Sequence, residues 1–293
     1  MKNLINLIEK HLDEYLPIGY PADIFKAMKY TLMLPGKRLR PIFCLETVRM
    51  LGGNIEQAMP TACAIEMLHV QSLIHDDLPC MDNDDFRRGK PSNHKVFGEA
   101  NAVLAGDALL TFAPQLIIEK TEGLFKERLI NVLHEYTKFA GVYGLIAGQV
   151  VDIDSEKGVF ENTSKEETLD FIHLNKTATL FRLAMRTGAI IAGADTRVIE
   201  KFDKPTKIYI PLMDKNGNSY KMLVKVGDYV YKGDKVANCE KFDFPINSSV
   251  SGYVAIIDTK FISNGNECEC IVIENDYKEK VRKNRVIGNK KDN

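Results

Sequence analysis

Between His69 and Leu110 the chain reads HVQSLIHDDLPCMDNDDFRRGKPSNHKVFGEANAVLAGDALL. Asp76, Asp77 and Asp82 are followed by Asp84 and Asp85, and then by Arg87 and Arg88. Carboxylates at this density beside arginines form a donor set for a hard cation and a phosphate. Mg²⁺ takes oxygen ligands and is usually held by one or two carboxylates plus substrate phosphate oxygens. Arginine supplies a planar, permanently charged fork that fits the same phosphate oxygens. A charge run is more often a solvated face, but this one is bounded by apolar helical segments and threaded with Leu78, Pro79 and Met81. A basic cluster lies upstream in LPGKRLRP, with Gly36, Lys37, Arg38 and Arg40. A glycine-led turn feeding a helix offers free N–H groups and the positive end of a dipole to an anion. Lys37 and Arg40 add full charges to it. Taken alone, that cluster reads as a positively decorated helix start.

The elements that must position these groups are helices. Leu4, Leu7, Ile8, Leu12 and Leu16 recur at helical spacing over residues 3–16, and a second helix is expected from about Pro21 to Leu34. A long helix over residues 54–78, opened by Asn54 and Glu56, carries Glu66, His69 and Gln71. Pro79 should end or kink it just after the paired aspartates, and the turn lets Asp82 come back toward Asp76. His69 stands two turns before Asp76 on nearly the same face, where a lone histidine is usually a satisfied structural group. Residues 97–118 and 125–149 read as two more apolar helices, with Ala100, Ala102, Ala105, Gly106 and Ala108 permitting close contact. Ser164 and Glu167 form a capping box that opens a helix running to Ala192.

Composition sets the bounds. The 293 residues suffice for one large or two modest domains. With 45% hydrophobic residues and a net charge of −1, the chain is an ordinary globular protein, and its charge gives no basis for nucleic-acid binding. The six cysteines form no CxxC pair, so free thiols and a reducing cytoplasm are expected. Cys268 and Cys270 alternate with glutamates, as on one face of a strand. No apolar run reads as long enough to span a bilayer, and no signal-peptide pattern opens the chain.

At Asp195 the composition changes. DTRVIEKFDKP is polar, and from Thr206 short β-rich runs alternate with glycine turns. Asn216-Gly217 is a hairpin signal, and VGDYVYKGDKV and VSGYV are related glycine-turn halves of a flattened β-sandwich of the biotinyl/lipoyl type. The expected division is a helical domain over 1–194, a linker over 195–204, an all-β domain over 205–278 and a disordered basic tail over 279–293.

DDLPCMD followed by DFRRGKP resembles the first aspartate-rich motif of the trans-isoprenyl diphosphate synthases. The wording through NHKVFGEANAVLAGDALL is most similar to the geranylgeranyl diphosphate synthases within that family. The resemblance covers residues 1–194 and implies an all-α isoprenoid-synthase helical bundle, incomplete here. It stops before the family's second aspartate-rich motif, since no adjacent aspartate pair follows Asp84 and Asp85. It implies Mg²⁺ on Asp76, Asp77 and Asp82, with two or three ions in the complete family site and fewer expected here. It further implies an allylic diphosphate neutralised by Arg87 and Arg88, and isopentenyl diphosphate on Lys37, Arg40 and His69. Lys176 and Thr177 of LNKTATLF resemble the pair that faces the departing diphosphate and the developing carbocation. Gln149 and Asp152 would line the cavity, and Gln71 sits where the family helps set product length. The resemblance also implies a homodimer through the helical domain, a C15–C20 product, and low activity for a chain lacking the second motif. IYIPL, VKVGDYVYKGDKV, SVSGYVAI and IVIEND resemble the barrel-sandwich module of the C subunit of Rnf-type electron-transport complexes. That likeness opens an alternative: a non-catalytic fusion or interaction protein that meets electron-transport subunits through its β domain. Lys241, eleven residues before Gly252, lies near where carrier domains hold a modified lysine, but Glu240 and Phe242 are not the usual neighbours.

Overall fold

The computed structural model describes residues 2–159, 164–202, 206–214, 217–239, 241, 244–261 and 267–282. The chain divides into two compact units, Met1–Phe202 and Asp203–Asn293. In the first unit α1 (Lys2–Tyr15), α2 (Ala22–Leu32) and α3 (Leu39–Met50) lead to α4 (Ile55–Asp76). A short hairpin of β1 (Phe86–Arg87) and β2 (Lys90–Pro91) follows, then α5 (Asn93–Phe97), α6 (Glu99–Lys120), α7 (Lys126–Ala140) and α8 (Leu145–Glu156). α9 (Lys165–Ile172), a π-turn (His173–Thr177), α10 (Thr179–Ala192) and α11 (Thr196–Glu200) close the unit.

The central helix is α4. Every residue from Ala58 to Leu68 on it is buried, as expected of a helix surrounded on all sides rather than lying on a surface. α3, α6 and α10 pack around it, and Leu45, Met67, Leu109, Leu116 and Leu183 meet in one apolar core. Asn54 caps α4 by accepting from the Glu56 amide at 3.0 Å. At the other end the helix stops at Asp76, three residues before Pro79, because a proline disfavours helical backbone just ahead of it.

Four expectations are corrected. The helix foreseen over 125–149 is two, α7 and α8, broken at the turn from Gly141 to Gly144. The helix foreseen from Ser164 to Ala192 does open on the capping box, but the π-turn interrupts it. Much of the polar linker is α11, whose Asp195 accepts from the Val198 amide at 3.0 Å and whose Ile199 packs on the helical core, so the boundary falls after Phe202. Finally, α6 is long and apolar enough to cross a membrane by length and composition; here Ala102, Ala105, Gly106 and Leu109 on it are buried in the bundle.

The second unit holds β3 (Lys207–Pro211), β4 (Lys221–Met222), β5 (Tyr229–Val230), β6 (Lys235–Cys239), β7 (Phe244–Asn247), β8 (Gly252–Phe261) and β9 (Glu267–Asn275). They form a four-stranded sheet, β3-β9-β8-β5, and a three-stranded sheet, β4-β6-β7. Ile210, Val230, Val236, Val254, Ile271 and Ile273 fill the space between the strands. The two Gly-Asp turns are alike: Asp228 accepts from the Lys225 amide at 2.8 Å, and Asp234 from the Tyr231 amide at 3.0 Å. Cys268 and Cys270 are buried, with exposed Glu267 and Glu269 alternating between them. Gly217 has a left-handed φ of 82°, as a hairpin turn requires; its partner in that signal, Asn216, lies outside the described residues. So do the neighbours of Lys241 and the tail from residue 283.

Candidate active site

The acidic end of the site is made by the turn after α4. The Asp82 amide donates to the Asp76 carbonyl at 2.9 Å, and the Asn83 amide to the Leu78 carbonyl at 3.1 Å. The loop thus folds Asp82 back onto Asp76, as the proline-bounded spacing foresaw. Burial, with Asp82 and Asp77 close by, pushes the Asp76 carboxyl up to about 6 against the pull of Lys176 and Arg87. Two carboxylates crowded at a half-buried bend are under-compensated there, and a divalent cation would relieve that. Among the described residues no group of three His, Cys, Asp or Glu side chains is placed to hold a metal. Asp76 and Asp82 offer carboxylate oxygens of the kind a hard divalent cation takes.

Asp77, expected as a third ligand, is paired with an arginine. It is 1% exposed and grips Arg87 through a forked pair, with Nε to Oδ1 at 2.9 Å and Nη2 to the same oxygen. Arg87 also reaches Asp84 at 3.1 Å. Burial raises the Asp77 carboxyl while Arg87 pulls it down; the Asp77 bond in turn raises Arg87. A buried carboxylate needs such a partner to stay charged, so Asp77 and Arg87 hold one another.

Arg87 and Arg88 are neighbours but diverge. Arg88 and Gly89 are the two central residues of the β1–β2 turn, both left-handed, with φ of 51° and 76°. That is the geometry of the tight hairpin turn that matches strand twist. It sends Arg88 to the basic loop, where Nη1 donates to the Leu34 carbonyl at 3.1 Å. A Cβ at Gly36 would sit 2.6 Å from that Nη1, so the guanidinium packs directly against the glycine. Arg88, expected beside the aspartate-bound diphosphate, stands with the basic cluster.

The basic cluster has a buried foundation. Arg38, also left-handed at φ 48°, is 2% exposed. It donates to Glu66 at 2.8 Å and to the carbonyls of Leu32 and Leu34, each at 2.9 Å. The Leu34 carbonyl is therefore shared by Arg38 and Arg88, which ties α2, α4 and the hairpin to the loop between α2 and α3. Lys37 is exposed at the rim and Arg40 is half-buried. Burial lowers Arg40 and Arg88; Glu66 opposes this for both, and the other arginines add to it. His69, on α4 below them, is driven down to about 3 by burial and by Arg40, Arg88, Arg38 and Arg87, so its ring is neutral. Sequence reasoning gave Arg38 no role. The signal was Glu66, a lone carboxylate inside the apolar run TACAIEML, which has to be paired to be buried.

Lys176 completes the acidic end. The π-turn puts its ammonium on Asp152. Burial works against that charge, yet Asp152, Asp76 and Asp82 together hold it above its usual range. Gly148 makes this possible, because a Cβ there would lie 2.4 Å from the Lys176 backbone nitrogen. π-turns inside α-helices are frequent at functional sites. Thr177 beside it is exposed, and the buried Gln149 Nε2 has no hydrogen-bond partner among the described residues. Gln71 donates toward His75, whose other ring nitrogen meets the Val103 carbonyl at 3.1 Å.

An acidic bend and a basic loop are set along one buried helix, with an arginine hairpin between them, and the bundle that carries them has the helical prenyltransferase fold. The chain belongs to the polyprenyl synthetase family, whose model matches residues 21–208. Residues 191–278 match the RnfC barrel sandwich hybrid domain. A chloroplastic geranylgeranyl pyrophosphate synthase of Catharanthus roseus is 49% identical over 199 residues, 68% of this chain and 55% of that protein. A dimethylallyltranstransferase of Fischerella ambigua is 47% identical over 197 residues, 67% and 56% of the two. The chain thus spans about half the length of the curated relatives it matches. Among solved structures, an apo FPP/GFPP synthase of Zymomonas mobilis superposes with a TM-score of 0.64 at 32% identity, covering 69% of this chain and 74% of that one. A geranyltranstransferase of Thermotoga maritima gives 0.59 at 33% identity, covering 67% and 69%.

Proposed function

We propose that the helical unit is a short-chain prenyl diphosphate synthase that couples an allylic diphosphate to isopentenyl diphosphate, head to tail, toward a C15–C20 product. The observation that carries this reading is the pair of oppositely charged subsites on α4. Asp76 and Asp82 stand at its C-terminal end with Lys176 facing them, and His69 stands two turns earlier beneath Arg40 and Arg88. Asp76 and Asp82 are the residues that would hold Mg²⁺, which supplies Lewis-acid stabilisation to a diphosphate leaving group. The protonated Lys176 takes up part of that group's charge, and Arg87, locked to Asp77, adds a fixed positive field. The allylic C–O bond breaks with its electrons on the diphosphate. The Thr177 oxygen and the Gln149 amide line the space of the resulting cation. The isopentenyl double bond then forms the new C–C bond, and a proton passes to the released diphosphate. Lys37, Arg40 and Arg88 bind the isopentenyl diphosphate, and neutral His69 donates one N–H to it. Homodimerisation through the helical unit and a cytoplasmic site of action belong to the same proposal.

Turnover by this chain is proposed to be low. Ile146, Val150, Leu169 and Leu174, on α8, α9 and the π-turn, are exposed, and water reaching the cavity there would quench a carbocation and weaken each charge interaction. Calorimetry with geranyl diphosphate tests the site: uptake that needs magnesium and is lost in Asp76→Ala supports it, and uptake indifferent to either change removes it. Radiolabelled isopentenyl diphosphate with dimethylallyl, geranyl and farnesyl diphosphates tests turnover, and robust C20 product would overturn the low value. A second reading rests on the match of residues 191–278 to the RnfC domain: the β unit docks to electron-transport subunits and the helical unit is not catalytic. Co-purification with membrane redox subunits, without magnesium-dependent diphosphate binding, would favour it.

A further inference from the structure

Arg40 is an arginine without a carboxylate. Arg38 takes Glu66 and Arg87 takes Asp77, but among the described residues no acid stands within ion-pair distance of Arg40. Its Nε is buried and has no hydrogen-bond partner. What lies against it is a ring: the Arg40 guanidinium carbon is 4.9 Å from the centroid of Phe181. Phe43 meets the same ring edge-on at 5.5 Å and 89°. Arg40 and Phe43 are three apart on α3, hence on one face of it, and Phe181 comes from the first turn of α10, five residues after Lys176. The two helices approach closely further along, at Gly188, where a Cβ would lie 2.6 Å from the Cys44 carbonyl oxygen. That contact fixes how α10 sits on α3 and so where the Phe181 ring can be.

We infer that Phe181 is a positioning residue for the basic subsite: its ring, braced by Phe43, is the shelf that holds the Arg40 guanidinium in place of an ion pair. The inference rests on the reading of Lys37, Arg40 and Arg88 as a diphosphate subsite and adds how the central cation of that subsite is held. A carboxylate partner would neutralise Arg40 and compete with an incoming anion. An aromatic face orients the guanidinium through the ring quadrupole and leaves its charge free for the ligand. Burial is unfavourable for the Arg40 charge and Glu66, beyond ion-pair distance, offsets it only in part, so the subsite is left under-compensated until an anion arrives.

The test uses the full-length chain and inorganic pyrophosphate, followed by calorimetry. Phe181→Leu keeps apolar bulk and removes the quadrupole. It should weaken pyrophosphate binding about fivefold, the size of a partly desolvated cation–π contact. Phe181→Tyr should restore binding, which a purely volumetric role would not require. In an Arg40→Gln background Phe181→Leu should have no further effect, because the ring acts through Arg40. Wild-type binding in Phe181→Leu, or an equal loss with and without Arg40, would overturn the shelf and leave the subsite standing. Arg40→Gln binding pyrophosphate as tightly as wild type would overturn the subsite reading itself, and the shelf with it.

Discussion

Asp76→Asn should make the protein more stable at neutral pH while abolishing magnesium-dependent substrate uptake. The Asp76 carboxyl, which ordinarily ionises at 3.8, is held to about 6 in the folded chain, first by burial and then by Asp82 and Asp77. Keeping it ionised above that pH costs the folded state on the order of 3 kcal/mol. The sign follows from proton binding. Between about pH 4 and pH 6 the folded chain retains a proton that the unfolded chain has released, so the cost grows as pH rises through this window and is complete above it. An uncharged amide of nearly the same shape removes the cost. Urea unfolding of the helical unit should therefore show Asp76→Asn more stable by about 2–3 kcal/mol at pH 7.5, shrinking toward zero near pH 4. Magnesium with geranyl diphosphate should stabilise wild type and not the variant. A variant no more stable than wild type at pH 7.5, or a gain that persists unchanged at pH 4, would refute the claim that this carboxylate is crowded.

Three further outcomes are expected. Arg38→Met should cost about 3–5 kcal/mol by urea unfolding because it strands the buried Glu66 carboxylate, and adding Glu66→Leu should recover most of that loss. Gly148→Ala drives a Cβ to 2.4 Å from the Lys176 backbone nitrogen; it should lower stability by about 1–3 kcal/mol and weaken geranyl diphosphate uptake. Arg88→Gln should weaken isopentenyl diphosphate binding by about tenfold, the worth of a charged hydrogen bond, and leave geranyl diphosphate uptake nearly unchanged when both are followed by calorimetry.

The sequence carried the helical bundle because burial repeats at helical spacing. It carried the bend at Pro79 because proline acts locally. The return of Asp82 toward Asp76 followed from the same local rule, and so did the capping box at Ser164. What escaped was set by packing at a distance. Asp77 and Asp82 are equivalent as letters, and only the arrival of Arg87 separates a buried partner from an exposed one. Arg87 and Arg88 are likewise adjacent letters, and the left-handed turn decides that they serve opposite ends of the site. The π-turn at Lys176 left no trace in hydrophobic periodicity, since it depends on Gly148 of another helix. Arg40 and Phe181 are 141 positions apart in the chain, and no local pattern joins them.

The hairpin at Arg88-Gly89 has a bearing on how this chain can vary. It is short and its tip faces solvent, the kind of place where added or deleted residues are ordinarily harmless. Here one residue of the turn is anchored toward the carboxylates and the next toward the Leu34 carbonyl. The turn thus sets how far apart the two guanidinium groups are anchored. Lengthening it by even one residue would change that spacing, so a loop that looks expendable should be among the parts of the surface least open to insertion.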